Sequence, residues 1–172
     1  MGSTYHSVHI HVIFTCKDRR PLIAPEMHSR IYGYIAGICR NKNCKLVEGG
    51  GVADHVHLLI GMSMTIAIAD LLREIKANSS GWIHRTWPSH EFGWQDGYSA
   101  FSVSVSKIAR TRGYIRNQEE HHKKHSLDDE LKQFLKLHGM RLNEDGSVDR
   151  APLPEPEEDS NDSAAPDGAQ EN

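Results

Sequence analysis

The chain reads as an α+β fold of the split βαβ type, ferredoxin-like or RNA-recognition-like, and three observations carry that reading. Apolar residues recur with strand and helix periods in the order strand, helix, strand, strand, helix, strand. The second and third strands are separated only by the turn Ala53-Asp54, which makes them an antiparallel pair. In this topology the first and third strands are central neighbours. The expected sheet is antiparallel, with helices on one face and a further helix after the fourth strand.

Each element has its own warrant. Residues 8–15 (VHIHVIFT) alternate as a strand and run into a basic loop, Lys17-Asp18-Arg19-Arg20-Pro21. Residues 25–42 place Met27, Ile31, Tyr34, Ile35 and Ile38 at helical spacing. Residues 44–52 and 55–61 form the hairpin. A second helix over 65–84 carries Ile66, Ala69, Leu72 and Ile75 near one side. A loop with Trp87-Pro88 and Gly93 leads to a strand near 97–103. Ser104 or Ser106 then caps a polar helix through about His122, and residues 127–138 make a last short helix.

Bulk properties narrow the classes. At 172 residues the chain fits one domain with a core of its own. No apolar run reaches membrane-spanning length, no signal-peptide pattern opens the chain, and position six lacks the Ser or Thr of a myristoylation signal. Cys16, Cys39 and Cys44 are odd in number and lack zinc spacing, which suits a reducing cytoplasm. The net charge of −3 averages two regions: residues 141–172 hold ten acidic and two basic residues, −8, whereas residues 1–140 come to +5 and hold all twelve histidines. From Asn143 onward the composition cannot bury enough apolar surface to offset ordering. The expected organisation is a domain over 1–140 and an acidic disordered tail over 141–172. A basic body is compatible with a nucleic-acid partner.

The most informative stretch is Asp54-His55-Val56-His57-Leu58-Leu59-Ile60. Alternation along a strand points His55 and His57 the same way, about 7 Å apart, where two imidazoles can converge on one ion. Burying imidazole without a partner is costly, so the pair demands one. Farther on, Tyr114 and Gln118 are i and i+4 on the polar helix, followed by His121, His122 and His125. Arg110, Arg112 and Arg116 make that segment basic.

In combination these motifs resemble the HUH single-tyrosine transposases, the IS200-like and REP-associated enzymes. The resemblance spans residues 5–139. It takes in the first strand with its basic loop, Lys76 with Ser79-Ser80-Gly81-Trp82, the run Trp94-Gln95-Asp96-Gly97-Tyr98 through Val103, and Tyr114 through Lys123. It implies a metal-dependent enzyme that nicks and rejoins single-stranded DNA, with hairpin ends as partners, working as a homodimer whose subunits share Tyr114 in cis or in trans. By the same resemblance His55, His57 and Gln118 hold a divalent cation, Mg²⁺ or Mn²⁺. Tyr114 is the nucleophile that keeps the 5′ phosphate as a phosphotyrosine, and the helix carrying it is the catalytic helix. The chemistry suits these types: neutral ligands leave the cation's charge for the phosphate, and a phenol with pKa near 10 attacks better when its proton has somewhere to go.

Other readings stand beside these. His9-Ile10-His11 repeats the tripeptide, and only the family pattern places the metal at the second copy; His11 is then a DNA contact or a core hydrogen-bonder. Lys17, Arg19, Arg20, Lys76, Arg110, Arg112 and Arg116 are candidate phosphate contacts, and each also fits an ordinary surface charge. Trp82, Trp87 and Trp94 can stack bases, though core packing is expected for at least two. His121 and His125 are spaced for zinc, but His121, His122 and His125 sit in a Glu- and Lys-rich run that suggests a solvated or phosphate-facing surface. Gly113 is expected to loosen the nucleophile helix. The rival functions are a non-cutting hairpin-DNA-binding protein of domesticated origin and a zinc hydrolase. The expected location is the cytoplasm, at the nucleoid.

Overall fold

A computed structural model describes residues 5–152 of the chain. Two compact units divide between Glu130 and Leu131.

In the first unit, strand β1 (His9–Thr15) leads through two single-turn helical segments, Lys17–Arg19 and Pro25–Met27, into helix α1 (His28–Asn41). Strands β2 (Lys45–Val52) and β3 (His55–Gly61) form the hairpin, and helix α2 (Ile68–Thr86) crosses back to strand β4 (Ser99–Val103). The sheet is fully antiparallel in the order β2-β3-β1-β4, so the two histidine strands lie in its centre, as the topology requires.

Strand alternation divides the sheet into two faces of different chemistry. Ile10, Val12 and Phe14 of β1 and Val56, Leu58 and Ile60 of β3 share one face with Ile31, Ile35, Leu71, Leu72, Ile75 and Ile83 of α1 and α2. These side chains are essentially inaccessible, and each contributes about 1.5–3 kcal/mol of burial free energy. The opposite face carries His11, His55, His57 and Leu59, with Phe101 paired opposite His11. Helices α3 (Ile108–Arg116) and α4 (Gln118–His122) cover it, Ile115 and Gln118 being buried there.

Glycines in β2 make this two-sided covering possible. A Cβ on Gly49 would stand 2.8 Å from the Tyr32 ring of α1, and a Cβ on Gly50 only 2.2 Å from the Ile115 carbonyl oxygen of α3. Successive residues thus admit a helix on each side. A bulge between Leu46 and Glu48 sets the register that turns Glu48 toward α3.

The polar helix differs from its expectation. It is broken at Asn117 (φ −97°, ψ 20°), whose N–H is shared between the carbonyls of Gly113 and Tyr114. Asparagine competes poorly inside a helix, and here it ends one segment and starts the next. Tyr114 and Gln118 therefore belong to two short helices, not one.

Helix α5 (Leu127–Leu137) spans the division between the units. In the second unit strands β5 (Met140–Leu142) and β6 (Val148–Arg150) form a small hairpin. This departs from the disorder expected beyond Asn143. The turn is made by Asp145, whose carboxylate accepts from the Ser147 N–H and hydroxyl at 2.9 and 2.6 Å, and by Gly146 at φ 83°. Such turn chemistry forms locally where composition alone argues against order. The rest of the expected tail, residues 153–172, lies outside the described residues. Among the described residues no helix is long and apolar enough to cross a membrane.

Candidate functional site: a histidine and carboxylate centre beside Tyr114

His55 opens β3 directly after the Ala53-Asp54 turn. Its Nδ1–H donates to Asp54 Oδ1 at 2.7 Å. The Asp54 carboxyl is held below the usual range chiefly by that hydrogen bond, so it stays an acceptor. The proton is thereby fixed on Nδ1, and Nε2 presents a lone pair. His122 arrives at the same point from the end of α4. Its Nδ1–H donates to the His125 carbonyl at 3.0 Å, and its Nε2 also presents a lone pair. The two Nε2 atoms lie 3.0 Å apart. Two lone pairs at that distance repel unless a proton or a cation lies between them.

The remaining groups sharpen this deficit. His57 is fully buried, and its Nδ1 lies 2.9 Å from His11 Nε2. With Nδ1 donating to His11, Nε2 of His57 faces the centre, where no hydrogen bond reaches it. Burial above all, with His55, His122 and His121 nearby, holds His57 well below the ordinary imidazole pKa, in the neutral ligand form. Burial and then His55 push His122 the same way.

Glu130, in the first turn of α5, is 2 % exposed. Its Oε2 lies 3.2 Å from His122 Nε2 and 3.4 Å from His57 Nε2 without a hydrogen-bond donor. Burial raises this carboxyl to about 7. Its other oxygen, Oε1, accepts from the Tyr114 hydroxyl and, at 3.2 Å, from the Gln118 amide. Gln118 Oε1 is a further buried acceptor without a donor.

Donor atoms of His55, His57, His122 and Glu130 all lie within 4.8 Å of one another. Buried acceptors gathered without donors are costly, and a cation satisfies them together. The carboxylate and amide oxygens suit Mg²⁺ or Mn²⁺, and the imidazole nitrogens suit divalent transition ions. The residues present therefore fit a divalent cation.

Tyr114 adjoins this centre. Its hydroxyl is 3.3 Å from His121 Nε2 besides its bond to Glu130, and its ring meets His57 edge-on at 6.0 Å and His11 at 6.3 Å.

The structure brings His55, His57, Gln118 and Tyr114 together, as their motifs suggested. It adds two residues. His122 was grouped with a solvated histidine run, yet its side chain is only 11 % exposed. Glu130 was missed, although the sequence held a signal: it occupies a position on the apolar stripe of α5, three residues after buried Leu127, where a carboxylate needs a reason to be. The zinc-spaced pair His121 and His125 stack on each other at 4.8 Å and take no part in the donor cluster.

The basic candidates fall into distinct places. His11 is an interior hydrogen-bond partner of His57, 2 % exposed, not a surface contact. Lys76 donates to the carbonyls of Gln95 and Gly97 (the latter at 2.8 Å) and pins the approach to β4. Arg19 pairs with Asp128, Arg20 bidentately with Glu91, and Arg112 and Arg116 both with Glu48. Lys17 and Arg110 are exposed. Trp94 donates to Ser79 Oγ and packs on Phe14 and Phe92, while Trp82 and Trp87 pack with Tyr34 and Arg30 beside the core, so the tryptophans serve packing.

Comparison with known proteins bears on the family and the fold. The family described as "Transposase IS200 like" matches residues 4–118. The transposase for insertion sequence element IS200 of Salmonella typhimurium is 24 % identical over 119 residues, covering 66 % of this chain and 78 % of that protein. The ISDra2 transposase TnpA of Deinococcus radiodurans is 22 % identical over 121 residues, 67 % of this chain and 86 % of that one. Among solved structures, a Deinococcus radiodurans R1 protein assigned as a transposase superposes with a TM-score of 0.55 at 24 % identity, covering 69 % of this chain and 96 % of the other. A REP-associated tyrosine transposase bound to a REP hairpin superposes at 0.53 with 14 % identity, covering 71 % and 73 %.

Proposed function

The chain belongs to the IS200-like transposases, DNA-cleaving and strand-transferring enzymes, and on that premise we propose that it cuts and rejoins single-stranded DNA through a covalent phosphotyrosine at Tyr114. The observation that carries this reading is the contact between the Tyr114 hydroxyl and a carboxylate that also borders His55, His57 and His122. A hydrogen bond to Glu130 alone would serve a structural tyrosine as well; what supports the nucleophile reading is that the same carboxylate faces the histidine cluster.

His55 and His57 would hold the cation, with Gln118, His122 and Glu130 as the further donors within reach. A divalent cation bound there would supply Lewis-acid polarisation of a phosphate oxygen. The protein's own groups do the rest. Asp54 and His11 fix the orientation of the two strand imidazoles through their Nδ1 atoms. Tyr114 Oη forms a bond to phosphorus as the 3′ oxygen leaves and takes a proton from solvent. The phenolic proton passes to the acceptors in place, Glu130 Oε1 or His121 Nε2. The released 3′ hydroxyl, or that of another strand, reverses the step and restores the tyrosine, so joining needs no external energy source.

The substrate is single-stranded DNA bearing hairpins, a reading supported by the neighbour solved with a REP hairpin. Arg110 and Lys17 are exposed candidates for phosphate contacts, with Arg112 and Arg116 available if Glu48 releases them. The enzyme works as a homodimer in the cytoplasm, at the nucleoid. The contact of Tyr114 with Glu130 of the same chain supports nucleophile use in cis.

The test is to incubate the protein with hairpin DNA labelled on the 3′ side of the cleavage point, with Mn²⁺. Label should become attached to protein with wild type and not with Tyr114→Phe. Binding of the hairpin without any adduct would instead identify a non-cutting hairpin-binding protein.

A further inference from the structure

We infer that Glu130 is a positioning residue shared by the nucleophile and the cation site, holding Tyr114 with one carboxylate oxygen while the other completes the donor set of His55, His57 and His122. Glu130 has this role only if the tyrosine-transposase reading above holds, which it deepens.

The acidic residues that open α5 divide sharply. Asp128 and Asp129 are exposed, whereas Glu130 is 2 % exposed. Its two oxygens divide again. Oε1 takes the Tyr114 hydroxyl and the Gln118 amide, so it is well supplied with donors. Oε2 has none and faces His57 Nε2 and His122 Nε2, at 3.4 and 3.2 Å. A carboxylate serving the fold alone would be expected to turn both oxygens to donors, since an unmet buried acceptor costs free energy. Here the unmet oxygen is the one aimed at the imidazole nitrogens.

A cation at that point meets the Oε2 deficit and the repulsion between the His55 and His122 lone pairs at once. The other donors are neutral, so Glu130 contributes the one negative charge in the cluster and favours an ion that takes oxygen as well as nitrogen. Because the same carboxylate grips the tyrosine, filling the cation site and placing the nucleophile become coupled events. Neither the histidine strand nor the tyrosine helix provides this link alone.

The test uses full-length protein and two readouts that do not depend on turnover. The first is Mn²⁺ affinity by isothermal titration calorimetry, for wild type and Glu130→Gln, with folding checked by circular dichroism. The variant should bind about 10- to 100-fold more weakly. The second is the ¹⁹F resonance of 3-fluorotyrosine placed at position 114. Adding Mg²⁺ should move it in wild type and leave it in place in the variant at saturating Mg²⁺. Equal affinity and an equal ¹⁹F response in the variant would overturn the shared-carboxylate role while leaving the transposase reading intact. Absence of cation binding by wild type would overturn both. If Glu130→Gln does not fold, Glu130→Asp decides: it keeps the charge but withdraws it by one methylene, and wild-type affinity with a wild-type ¹⁹F response would again overturn the role.

Discussion

Gly50→Ala should separate the nucleophile from the histidine strand without touching either. Gly50 pairs with His57 across the hairpin, and an added Cβ would sit 2.2 Å from the Ile115 carbonyl oxygen, 2.9 Å from its Cγ2 and 3.0 Å from its carbonyl carbon. Real Cβ contacts essentially never fall below 3.0 Å. The obstacle is largely backbone, so no rotamer change relieves it. The helix must retreat by about 1 Å, carrying Tyr114 and Gln118 with it, and misplacement of that size costs on the order of 10²-fold in rate. The overpacking should also cost about 1–3 kcal/mol of stability, which leaves a folded protein to assay. Adduct formation under single-turnover conditions at a temperature well below the melting transition measures the effect. Gly113→Ala is the control, because a Cβ there meets nothing within 4 Å, and it adds helix propensity worth about 0.5–1 kcal/mol. A Gly50→Ala protein that is folded and cleaves within a few-fold of wild type would refute the claim that close approach of α3 to β2 sets the site. Slowed joining by Gly113→Ala would show instead that the nucleophile helix needs to flex at that residue.

Three further perturbations test other parts of the account. Glu48→Ala frees Arg112 and Arg116, so single-stranded DNA should bind more tightly by fluorescence anisotropy, and the salt dependence should steepen by up to about 1.4 in log–log slope for two added phosphate contacts; an unchanged slope would remove these arginines from the DNA-binding surface. Lys76→Met should lower stability by about 1 kcal/mol, after allowance for partial exposure, by releasing the Gln95 and Gly97 carbonyls, and should leave that salt slope alone. Burial pushes the thiols of Cys16 and Cys39 up to about 12, so at pH 8 the thiolate fraction is on the order of 10⁻⁴ and rises tenfold for each unit of pH; mass spectrometry should find both unalkylated by iodoacetamide in the native protein and modified after unfolding.

Much of the architecture was legible because it rests on period and turn chemistry. Two central strands that alternate histidine with Ile, Val or Leu, and two amphipathic helices, leave one way to bury the apolar sets, and the sheet order follows. Strand alternation puts His55 and His57 on one face, but only the family resemblance joined them to Tyr114 and Gln118, which the break at Asn117 divides between two helices. The rest depends on three-dimensional choices that sequence distance conceals. Whether His122 faces solvent or His55 turns on the break at Asn117, which rotates α4 relative to a continuous helix. Glu130 reaches the site only because the chain doubles back after His125, and the four-residue segment between α4 and α5 carries no periodic signal. The arginines show the opposite limit: their types suggested phosphate, and only the structure shows that Glu48, Asp128 and Glu91 already hold them. The hairpin at 140–150 followed from an Asp145-Gly146 turn that the acidic composition masked.

The central claim is that Tyr114 is the nucleophile and that it acts beside a cation held by the strand histidines. It is tested most directly by mass spectrometric mapping of the protein–DNA adduct formed on a single-stranded hairpin substrate with Mn²⁺, with and without chelator. The account predicts one peptide carrying a nucleotide 5′-phosphate on Tyr114, absent in chelator and absent when His57 is replaced by alanine. A phosphodiester adduct on any other residue, or an adduct on Tyr114 that forms equally well in chelator, would contradict it.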